Sequence, residues 1–243
     1  MPLPPRRAHE SPVRECTLGR GLYAIVDVTS LARRGLDPVA FTRAVLVARP
    51  AALQIRAKDL AASDVLALLL AVSGMCRDAG VPLVANDHVD LAGLAACAYI
   101  HVGQTDLSVP DARRRAPHTR VGVSTHTAEQ LAAALEARPD YVAYGPVFAT
   151  SSKSNPDPCV GLDGLALASV HAARFGVPIV AIGGVTLERA PALRKWATAS
   201  AAIHALLPPR ESSSYAEVTD RAVALHEALL GPGAGAQRPV SSA

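Results

Sequence analysis

Three polar side chains occupy alternate positions in one short segment of the sequence. Gln54, Arg56 and Lys58 lie within residues 53–60, directly after the apolar pair Ala51-Ala52. Side chains two residues apart on a strand point to the same face, so an amide and two cations are expected to lie together. Burying them without a partner would cost several kcal/mol, on the order of the penalty for unpaired charge. We therefore expect this face to bind an anion.

Short apolar runs alternate with longer amphipathic segments along most of the chain. The runs predict eight strands, at residues 22–28, 51–56, 82–87, 99–103, 121–125, 141–147, 178–184 and 200–206. The amphipathic segments predict eight helices, near residues 37–48, 62–79, 88–95, 109–115, 127–137, 164–175, 187–195 and 214–230. This alternation is typical of a single-domain (β/α)8 TIM barrel. A doubly wound open sheet is the alternative, although no G-x-G-x-x-G motif follows the first strand.

Residues typical of helix ends support several of these boundaries. Ser63 and Thr127 are candidate N-caps, and Glu129 lies just inside the helix that follows Thr127. Gly80 and Gly176 are candidate helix stops, each followed by a Val-Pro pair that opens a strand. We expect a catalytic barrel domain at residues 19–230. A flexible segment at 1–18 and a disordered tail at 231–243 are expected because the two ends are rich in Pro, Arg, Gly and Ser.

The composition argues against several classes of function. A net charge of +3 over 243 residues is too small to predict nucleic-acid binding, and we interpret Arg113–Arg115 as a solvated helix end. No apolar run approaches the roughly 20 residues of a membrane span, and the N-terminus does not resemble a secretory signal. The four cysteines show no metal-ligand spacing and are expected to be reduced, which favours a cytoplasmic protein: Cys16, Cys76, Cys97 and Cys159.

Polar residues and glycines collect where the predicted strands end. In a (β/α)8 barrel the carboxyl ends of the strands form the active-site face. Each residue alone has an ordinary explanation as a turn, cap or structural histidine, but their coincidence on one rim favours a site. The rim residues are Gln54, Arg56, Lys58, Asn86, Asp87, His101, Gln104, Asp106, Ser124, His126, Thr150, Ser152, Lys153, Gly183 and Gly184.

The charged members of this rim predict a metal-bound diphosphate. Two carboxylates, Asp87 and Asp106, without a His or Cys ligand set favour Mg²⁺ over Zn²⁺. Magnesium usually takes one or two carboxylates together with phosphate oxygens, and Arg and Lys hold the remaining phosphate charge. Arg56, Lys58 and Lys153 supply that charge here. A second anion site is expected at Gly183-Gly184, since barrels often bind phosphate on the loops after strands 7 and 8.

The chain resembles the thiamine-phosphate synthase family in an ordered set of motifs. They are "QIRAKD", "VPLVANDHVDLA", "IHVGQTDL", "GVSTHT", "YVAYGPVFATSSK", "GLDGL" and "VPIVAIGGVT", spread over roughly residues 22–207. The resemblance implies a (β/α)8 barrel that joins hydroxymethylpyrimidine diphosphate to thiazole phosphate with Mg²⁺, releasing diphosphate. It also implies a dissociative substitution, in which the diphosphate leaves before the thiazole nitrogen bonds.

The same resemblance implies a role for each matching residue. Gln54 and Ser124 contact the pyrimidine substrate, and Asp87 and Asp106 hold Mg²⁺. The thiazole phosphate is bound around Gly184 and the position of His204. The residues that cradle the diphosphate are Arg56, Lys58, Asn86, Thr150, Ser152 and Lys153, of which Arg56, Lys58 and Lys153, with Ser124, are the expected catalytic residues.

Three departures from the family pattern concern the end of the chain and one loop. His204 stands where the family usually has a serine of the thiazole phosphate site. The preceding stretch "RKWATASAA" lacks the usual glycine, and Ser152 replaces a threonine. His204 therefore either impairs that site or takes over the serine's role.

Three other functions stay open from the sequence. A thiazole tautomerase-like relative would use a catalytic histidine at His126 but would lack the diphosphate-binding charges. A non-catalytic barrel could bind thiamine precursors, and an unrelated phosphate-binding isomerase would need a Glu or Lys base. The expected partners are the two small-molecule substrates, without nucleic acid or membrane, and self-association into a homo-oligomer is left open.

Overall fold

Eight parallel strands pair in chain order, and the eighth pairs with the first, in a computed structural model that describes residues 18–150 and 157–233. The strands are Gly21–Asp27 (β1), Ala52–Arg56 (β2), Leu83–Asn86 (β3), Tyr99–Val102 (β4), Arg120–Thr125 (β5), Tyr141–Tyr144 (β6), Ile179–Ala181 (β7) and Ala199–Ala202 (β8). This closed sheet confirms the predicted single-domain (β/α)8 barrel and excludes the doubly wound alternative.

Helices follow the strands around the outside of the barrel. They are Val28–Ala32 (α1), Pro38–Leu46 (α2), Ala62–Ala79 (α3), Val89–Leu94 (α4), Val109–Arg115 (α5), Ala128–Glu136 (α6), Gly161–Arg174 (α7), Ala190–Leu193 (α8) and Tyr215–Leu230 (α9), with a 3₁₀ helix at His204–Leu206. None of the described helices is long and apolar enough to cross a membrane. The assignment of the chain ends as flexible stays a prediction, since residues 1–17 and 234–243 lie outside the described residues.

Several predicted element boundaries were wrong: α7, for example, begins at Gly161 instead of near residue 164, and α8 covers only Ala190–Leu193. Ser63 does not cap α3, because the helix begins one residue earlier and Ala61 occupies the N-cap. Strands β6, β7 and β8 end before the predicted residues 147, 184 and 206, because glycines or a 3₁₀ turn follow directly. The five-residue helix α1 is too short to show a helical period, and the sequence did not predict it.

The predicted helix stops and the remaining cap agree with the structure. Thr127 caps α6 by accepting a hydrogen bond from the Gln130 amide, and Glu129 lies in its first turn. Gly80 ends α3 at φ 69°, and Gly176 follows α7 at φ 67°. Glycine adopts this left-handed conformation without the steric cost that other residues carry.

Aromatic rings fill the inside of the barrel. Tyr23, Tyr99 and Tyr141 are at most 2% exposed, and the Tyr141 ring centroid lies 5.8 Å from that of Tyr23 and 5.7 Å from that of Tyr99. Such pairs contribute about 0.5–1.5 kcal/mol each beyond the burial of their area. Gly122 makes room for them, because a Cβ there would lie 2.0 Å from the Tyr141 ring. The rings close the barrel interior below the strand ends.

The described cysteines are unbridged, as predicted. Cys76, Cys97 and Cys159 are free thiols, while Cys16 lies outside the described residues. Burial raises the pKa of the Cys76 thiol to about 12, and burial followed by the nearby Cys76 raises the pKa of Cys97 to about 12. Both buried thiols are therefore protonated at neutral pH and act as small apolar side chains.

Candidate active site

A cavity of about 720 Å³ lies at the carboxyl ends of the strands. It brings together ten of the twelve predicted site residues: Gln54, Arg56, Lys58, Asn86, Asp87, Asp106, Ser124, Thr150, Gly184 and His204. The other two, Ser152 and Lys153, lie outside the described residues. Arg56, Lys58, Asp87 and Asp106 thus line one cavity of the barrel, and the roles assigned to them stay predictions.

Arg56 is held by a carboxylate that the sequence analysis did not include. Asp27 ends β1 directly beside Arg56 at the end of β2, and the Arg56 guanidinium donates to Asp27 Oδ2. The other oxygen, Oδ1, accepts a hydrogen bond of 2.9 Å from the Ser30 amide and so caps α1. Burial alone would raise the pKa of Asp27, but hydrogen bonds from Ser30 and Arg56 together lower it. The pair stays charged at neutral pH and fixes the guanidinium at the cavity wall.

Lys58 is paired with one of the two predicted metal ligands. Its Nζ lies 3.1 Å from Asp87 Oδ2, and the Lys58 side chain is 51% exposed. Asp87 follows β3 at φ 64°, a left-handed conformation that Asp tolerates better than most residues. An ion pair this exposed contributes little, about 0–1 kcal/mol, and can be exchanged for other partners. Lys58 and Asp87 are therefore both within reach of an incoming anion and its counter-ion.

Asp106 lines the same cavity from the turn that follows β4, the strand next to β3. Its Oδ2 accepts a hydrogen bond of 2.6 Å from the Gly103 amide, which closes the turn after β4. Ser108, not Asp106, caps the following helix α5, so the alternative explanation of Asp106 as a helix cap was wrong. Asp106 and Asp87 line the same cavity.

These two carboxylates fit a magnesium ion better than a metal with protein-only ligands. The described residues contain no group of three or more His, Cys, Asp or Glu side chains arranged to hold a metal. Mg²⁺ commonly keeps waters and takes one or two carboxylates plus phosphate oxygens from the substrate. Asp87 and Asp106 on one cavity match that donor set, whereas a structural zinc site would need about four ligands from the protein.

A chain of hydrogen bonds crosses the barrel interior from Gln54 to Ser124. Gln54 Nε2 donates to the Tyr23 hydroxyl over 3.0 Å, and the Tyr23 and Tyr141 hydroxyls are 2.8 Å apart. His101 Nδ1 lies 2.8 Å from the Tyr141 hydroxyl, and His101 Nε2 lies 2.7 Å from Ser124 Oγ. The chain therefore connects the two side chains that are predicted to contact the pyrimidine.

Burial keeps the hydroxyls of this chain neutral. Desolvation is the largest cause that raises the pKa of Tyr23 and of Tyr141, and it outweighs the hydrogen bonds to Tyr23. Neutral hydroxyls can each donate and accept, which lets the chain hold both ends in place. The sequence analysis placed His101 on the rim but did not identify the two tyrosines. Their positions on the inward-facing sides of β1 and β6 could have indicated from the sequence that both tyrosines lie inside the barrel.

His126 lines the cavity and is held by neighbouring groups. Its Nδ1 lies 2.6 Å from the Gly145 carbonyl oxygen and 3.6 Å from Asp157 Oδ2. Its backbone amide donates to Gln130 Oε1 over 2.7 Å. A ring nitrogen next to a carbonyl carries the proton, which fixes the orientation of the imidazole. His126 thus ties the end of β5 to the end of β6.

The turn after β7 is shaped for close approach of a ligand to the backbone. Gly183 and Gly184 have φ angles of 89° and 64°. A Cβ on Gly183 would lie 2.4 Å from the Pro146 Cβ, and one on Gly184 would lie 2.7 Å from the Ala149 carbonyl oxygen. Only glycine fits either position. His204 lines the same cavity from the 3₁₀ helix after β8.

Comparison with known proteins identifies relatives across most of the chain. Residues 22–206 match the TMP-TENI family, described as thiamine monophosphate synthase. The thiamine-phosphate synthase of Anaeromyxobacter dehalogenans (strain 2CP-C) is 41% identical over 202 residues, covering 83% of this chain and 86% of the relative. That of Koribacter versatilis (strain Ellin345) is 38% identical over 201 residues, covering 79% and 92%.

A solved structure supports the fold. Thiamine phosphate pyrophosphorylase from Pyrococcus furiosus superposes with a TM-score of 0.74 at 24% identity, covering 88% of this chain and 98% of the other. At that identity the likeness concerns the fold alone. The family match over most of the chain, together with relatives near 40% identity that are covered almost end to end, is decisive. The chain belongs to the thiamine monophosphate synthase family.

Proposed function

We propose that this chain catalyses thiamine phosphate synthesis, joining hydroxymethylpyrimidine diphosphate to thiazole phosphate with release of diphosphate. The observation that carries the proposal is the shared cavity of Arg56, Lys58, Asp87 and Asp106 at the carboxyl ends of adjacent strands. This is the charge set that a metal-bound diphosphate leaving group requires. Relatives that are thiamine-phosphate synthases at 38–41% identity support the same reaction.

The leaving diphosphate is bound at the ends of β2 and β3. Asp27 accepts a hydrogen bond from one nitrogen of the Arg56 guanidinium. A guanidinium has five N–H donors, so the remaining donors can face the phosphates. Lys58 exchanges its exposed contact with Asp87 for a phosphate oxygen. Asn86, Thr150, Ser152 and Lys153 complete this cradle in the proposal, the last two from the segment that lies outside the described residues.

Asp87 and Asp106 hold Mg²⁺ in this proposal. When bound, the metal supplies neutralisation of the charge that develops on the departing diphosphate. Release of Asp87 from Lys58 frees a carboxylate oxygen for this purpose and at the same time frees the Lys58 ammonium for a phosphate. Breaking the Lys58–Asp87 ion pair therefore makes Asp87 available to the metal and Lys58 available to the diphosphate.

The pyrimidine is held between Gln54 and Ser124, at the two ends of the buried hydrogen-bond chain. The C–O bond to the diphosphate breaks first and its electron pair leaves with the phosphate oxygen. The thiazole nitrogen then bonds to the pyrimidine methylene cation. The reaction needs no protein nucleophile, because orientation of the two substrates and stabilisation of departing charge lower the barrier.

The thiazole phosphate approaches from the opposite side of the cavity. Gly183 and Gly184 bring the backbone close to its phosphate, and His204 replaces the usual serine. A cytoplasmic location remains a prediction of the sequence. The free thiols of Cys76, Cys97 and Cys159, the cysteines in the described part of the chain, are in keeping with a reducing compartment.

Turnover with both substrates tests this proposal against its alternatives. The purified chain is incubated with pyrimidine diphosphate, thiazole phosphate and Mg²⁺, and the products are separated by chromatography. Thiamine phosphate and diphosphate are expected in equal amounts, with loss of activity when EDTA removes the metal. Isomerisation of the thiazole ring without coupling would instead support a tautomerase. Binding of both precursors without turnover would support a non-catalytic barrel.

A further inference from the structure

We propose that Arg189 is a substrate-binding residue of this enzyme, which binds the phosphate group of the thiazole substrate through its guanidinium. The proposal rests on the proposed function and names a side chain that neither the motifs nor the resemblance includes. Arg189 lies at the N-cap of α8 and lines the same cavity as Gly184 and His204.

Two contacts hold the Arg189 guanidinium at this place. Nη1 donates a hydrogen bond of 2.8 Å to the Gly184 carbonyl oxygen, and the guanidinium carbon lies 4.6 Å from the centroid of the Phe148 ring. Stacking on an aromatic face leaves the N–H groups at the edge of the guanidinium able to donate to a third partner. The side chain is therefore oriented before a ligand arrives.

The charge of Arg189 distinguishes it from the other arginine and lysine side chains at the cavity. Among the described residues, Arg56 pairs with Asp27 and Lys58 pairs with Asp87, whereas Arg189 has no carboxylate within ion-pair distance. A carbonyl partner such as that of Gly184 does not neutralise a cation. An uncompensated guanidinium beside a glycine turn favours a phosphate at this position.

The carboxylate of the preceding residue, Glu188, does not neutralise the charge of Arg189. Glu188 is fully exposed, and its pKa is lowered first by the Thr186 hydroxyl, then by its own backbone amide, with a smaller effect of Arg189. Glu188 is therefore engaged with the turn residue Thr186 and interacts with Arg189 only at a distance. Among the described residues, Arg189 is therefore a cation available to a ligand at the β7 turn.

The proposal also accounts for the replacement of the usual serine by His204. A hydroxyl contributes one neutral hydrogen bond to a phosphate, while a guanidinium contributes charge-assisted bonds that are roughly twice as strong. Arg189 lines the same cavity as His204, and its charge can offset the lost serine hydroxyl. This arrangement makes the phosphate of the thiazole substrate, rather than its ring, the group that Arg189 recognises.

Steady-state kinetics with two forms of the thiazole substrate test the proposal. We compare the wild type, Arg189→Gln and Arg189→Lys with thiazole phosphate and with the corresponding thiazole alcohol, which lacks the phosphate. Arg189→Gln is expected to raise KM for thiazole phosphate roughly tenfold. This is near the smallest effect expected from the loss of a charge-assisted hydrogen bond, because the Arg189 side chain is exposed. Arg189→Lys keeps the positive charge but not the planar set of guanidinium donors, so it should raise this KM by a smaller factor. With the alcohol, kcat/KM should change less than twofold.

Arg194→Gln is the matched control. Arg194 lies at the other end of α8 and does not line this cavity, so its variant should keep the wild-type KM for thiazole phosphate. In every variant KM for pyrimidine diphosphate should stay within twofold, because the diphosphate is bound at β2 and β3. Equal losses with thiazole phosphate and thiazole alcohol would overturn the proposal, and so would an unchanged KM in Arg189→Gln.

Direct binding separates this proposal from the proposed function. Calorimetry of thiazole phosphate with the wild type and Arg189→Gln needs no turnover. If the wild type forms no thiamine phosphate, the proposed function fails, yet a roughly tenfold weaker Kd in the variant would still support a phosphate contact by Arg189. An equal Kd in both proteins would refute it whether or not the chain is active.

Discussion

Replacing Asp27 by asparagine tests how Arg56 is positioned. Asp27 is 5% exposed, and the side chain of its partner Arg56 is 23% exposed. Asparagine keeps an oxygen that can accept from the Ser30 amide, so the cap of α1 survives. The substitution therefore removes the carboxylate charge beside Arg56 and little else.

The expected loss of stability in Asp27→Asn follows from the burial of the Asp27–Arg56 pair. Removing one partner of a fully buried ion pair costs about 3–5 kcal/mol of stability. Arg56 retains contact with the solvent of the cavity, so we expect about 1–2 kcal/mol here, in the range for a charge-assisted hydrogen bond. The released guanidinium loses its fixed orientation toward the diphosphate. We expect kcat/KM for pyrimidine diphosphate to fall about tenfold, which corresponds to about 1.4 kcal/mol.

The assay combines urea unfolding with kinetics in which each substrate is varied separately. Asp37→Asn is the matched control, because Asp37 also accepts from an amide three residues along and caps α2, but it is exposed and lines no part of the cavity. The control should lose well under 1 kcal/mol and keep wild-type kinetics. An Asp27→Asn variant with unchanged kcat/KM for pyrimidine diphosphate would refute the positioning of Arg56 by Asp27.

Four further outcomes are expected. Gly184→Ala should raise KM for thiazole phosphate at least tenfold, because the added Cβ would clash with the loop after β6. Gly176 has a similar φ of 67°, but no atom from elsewhere in the described part of the chain lies within 4 Å of the position of an added Cβ. Gly176→Ala should therefore cost only about 1–2 kcal/mol of stability and leave the kinetics unchanged. Tyr141→Phe should cost about 1–3 kcal/mol in urea unfolding, because the buried hydroxyl chain loses its central member. Asp87→Ala should raise the Mg²⁺ concentration for half-maximal activity roughly tenfold or more, as measured by metal titration of turnover. Folding lowers the pKa of Asp27, so its ionised carboxylate stabilises the folded state above the pKa of unfolded Asp, about 3.9. This stabilisation is lost as pH falls through the pKa of Asp27 in the folded protein. Below about pH 4 the free energy of unfolding should therefore fall less in Asp27→Asn than in the wild type.

Each of these expectations has an outcome that contradicts it. Equal effects of the two glycine variants on KM would show that Gly184 matters only for its backbone angle. A Tyr141→Phe protein as stable as the wild type would mean that the hydroxyl chain contributes nothing to stability. An unaltered metal requirement after Asp87→Ala would remove Asp87 from the magnesium site. An identical acid transition in wild type and Asp27→Asn would mean that the pKa of Asp27 is not lowered by folding.

The barrel and its functional rim could be predicted because both depend on local patterns. Alternating apolar runs and amphipathic segments specify strands and helices, and the carboxyl ends of parallel strands must share one face. The polar residues at strand ends, such as Asn86-Asp87 and Ser124, therefore fall together without knowledge of any contact. Ten of the twelve predicted site residues line one cavity for this reason.

What the sequence could not predict depends on neighbours distant along the chain. Asp27 falls inside the predicted strand 22–28, and its pairing with Arg56 follows only from the register of β1 against β2. The link between Tyr23 and Tyr141 crosses the barrel over a separation of 118 residues. Arg189 lies in a predicted helix near residues 187–195, and its guanidinium stacks on Phe148, which is distant along the chain.

The location of a bound diphosphate tests the central claim most directly. A crystal of the protein grown with inorganic diphosphate and Mn²⁺, which stands in for Mg²⁺ and is located by its anomalous scattering, would show both ions. We predict phosphate oxygens within about 3 Å of Arg56 and Lys58 and the metal on Asp87 and Asp106, as expected for charge-assisted bonds and carboxylate ligands. Diphosphate bound elsewhere, with Lys58 still paired to Asp87, would contradict the account.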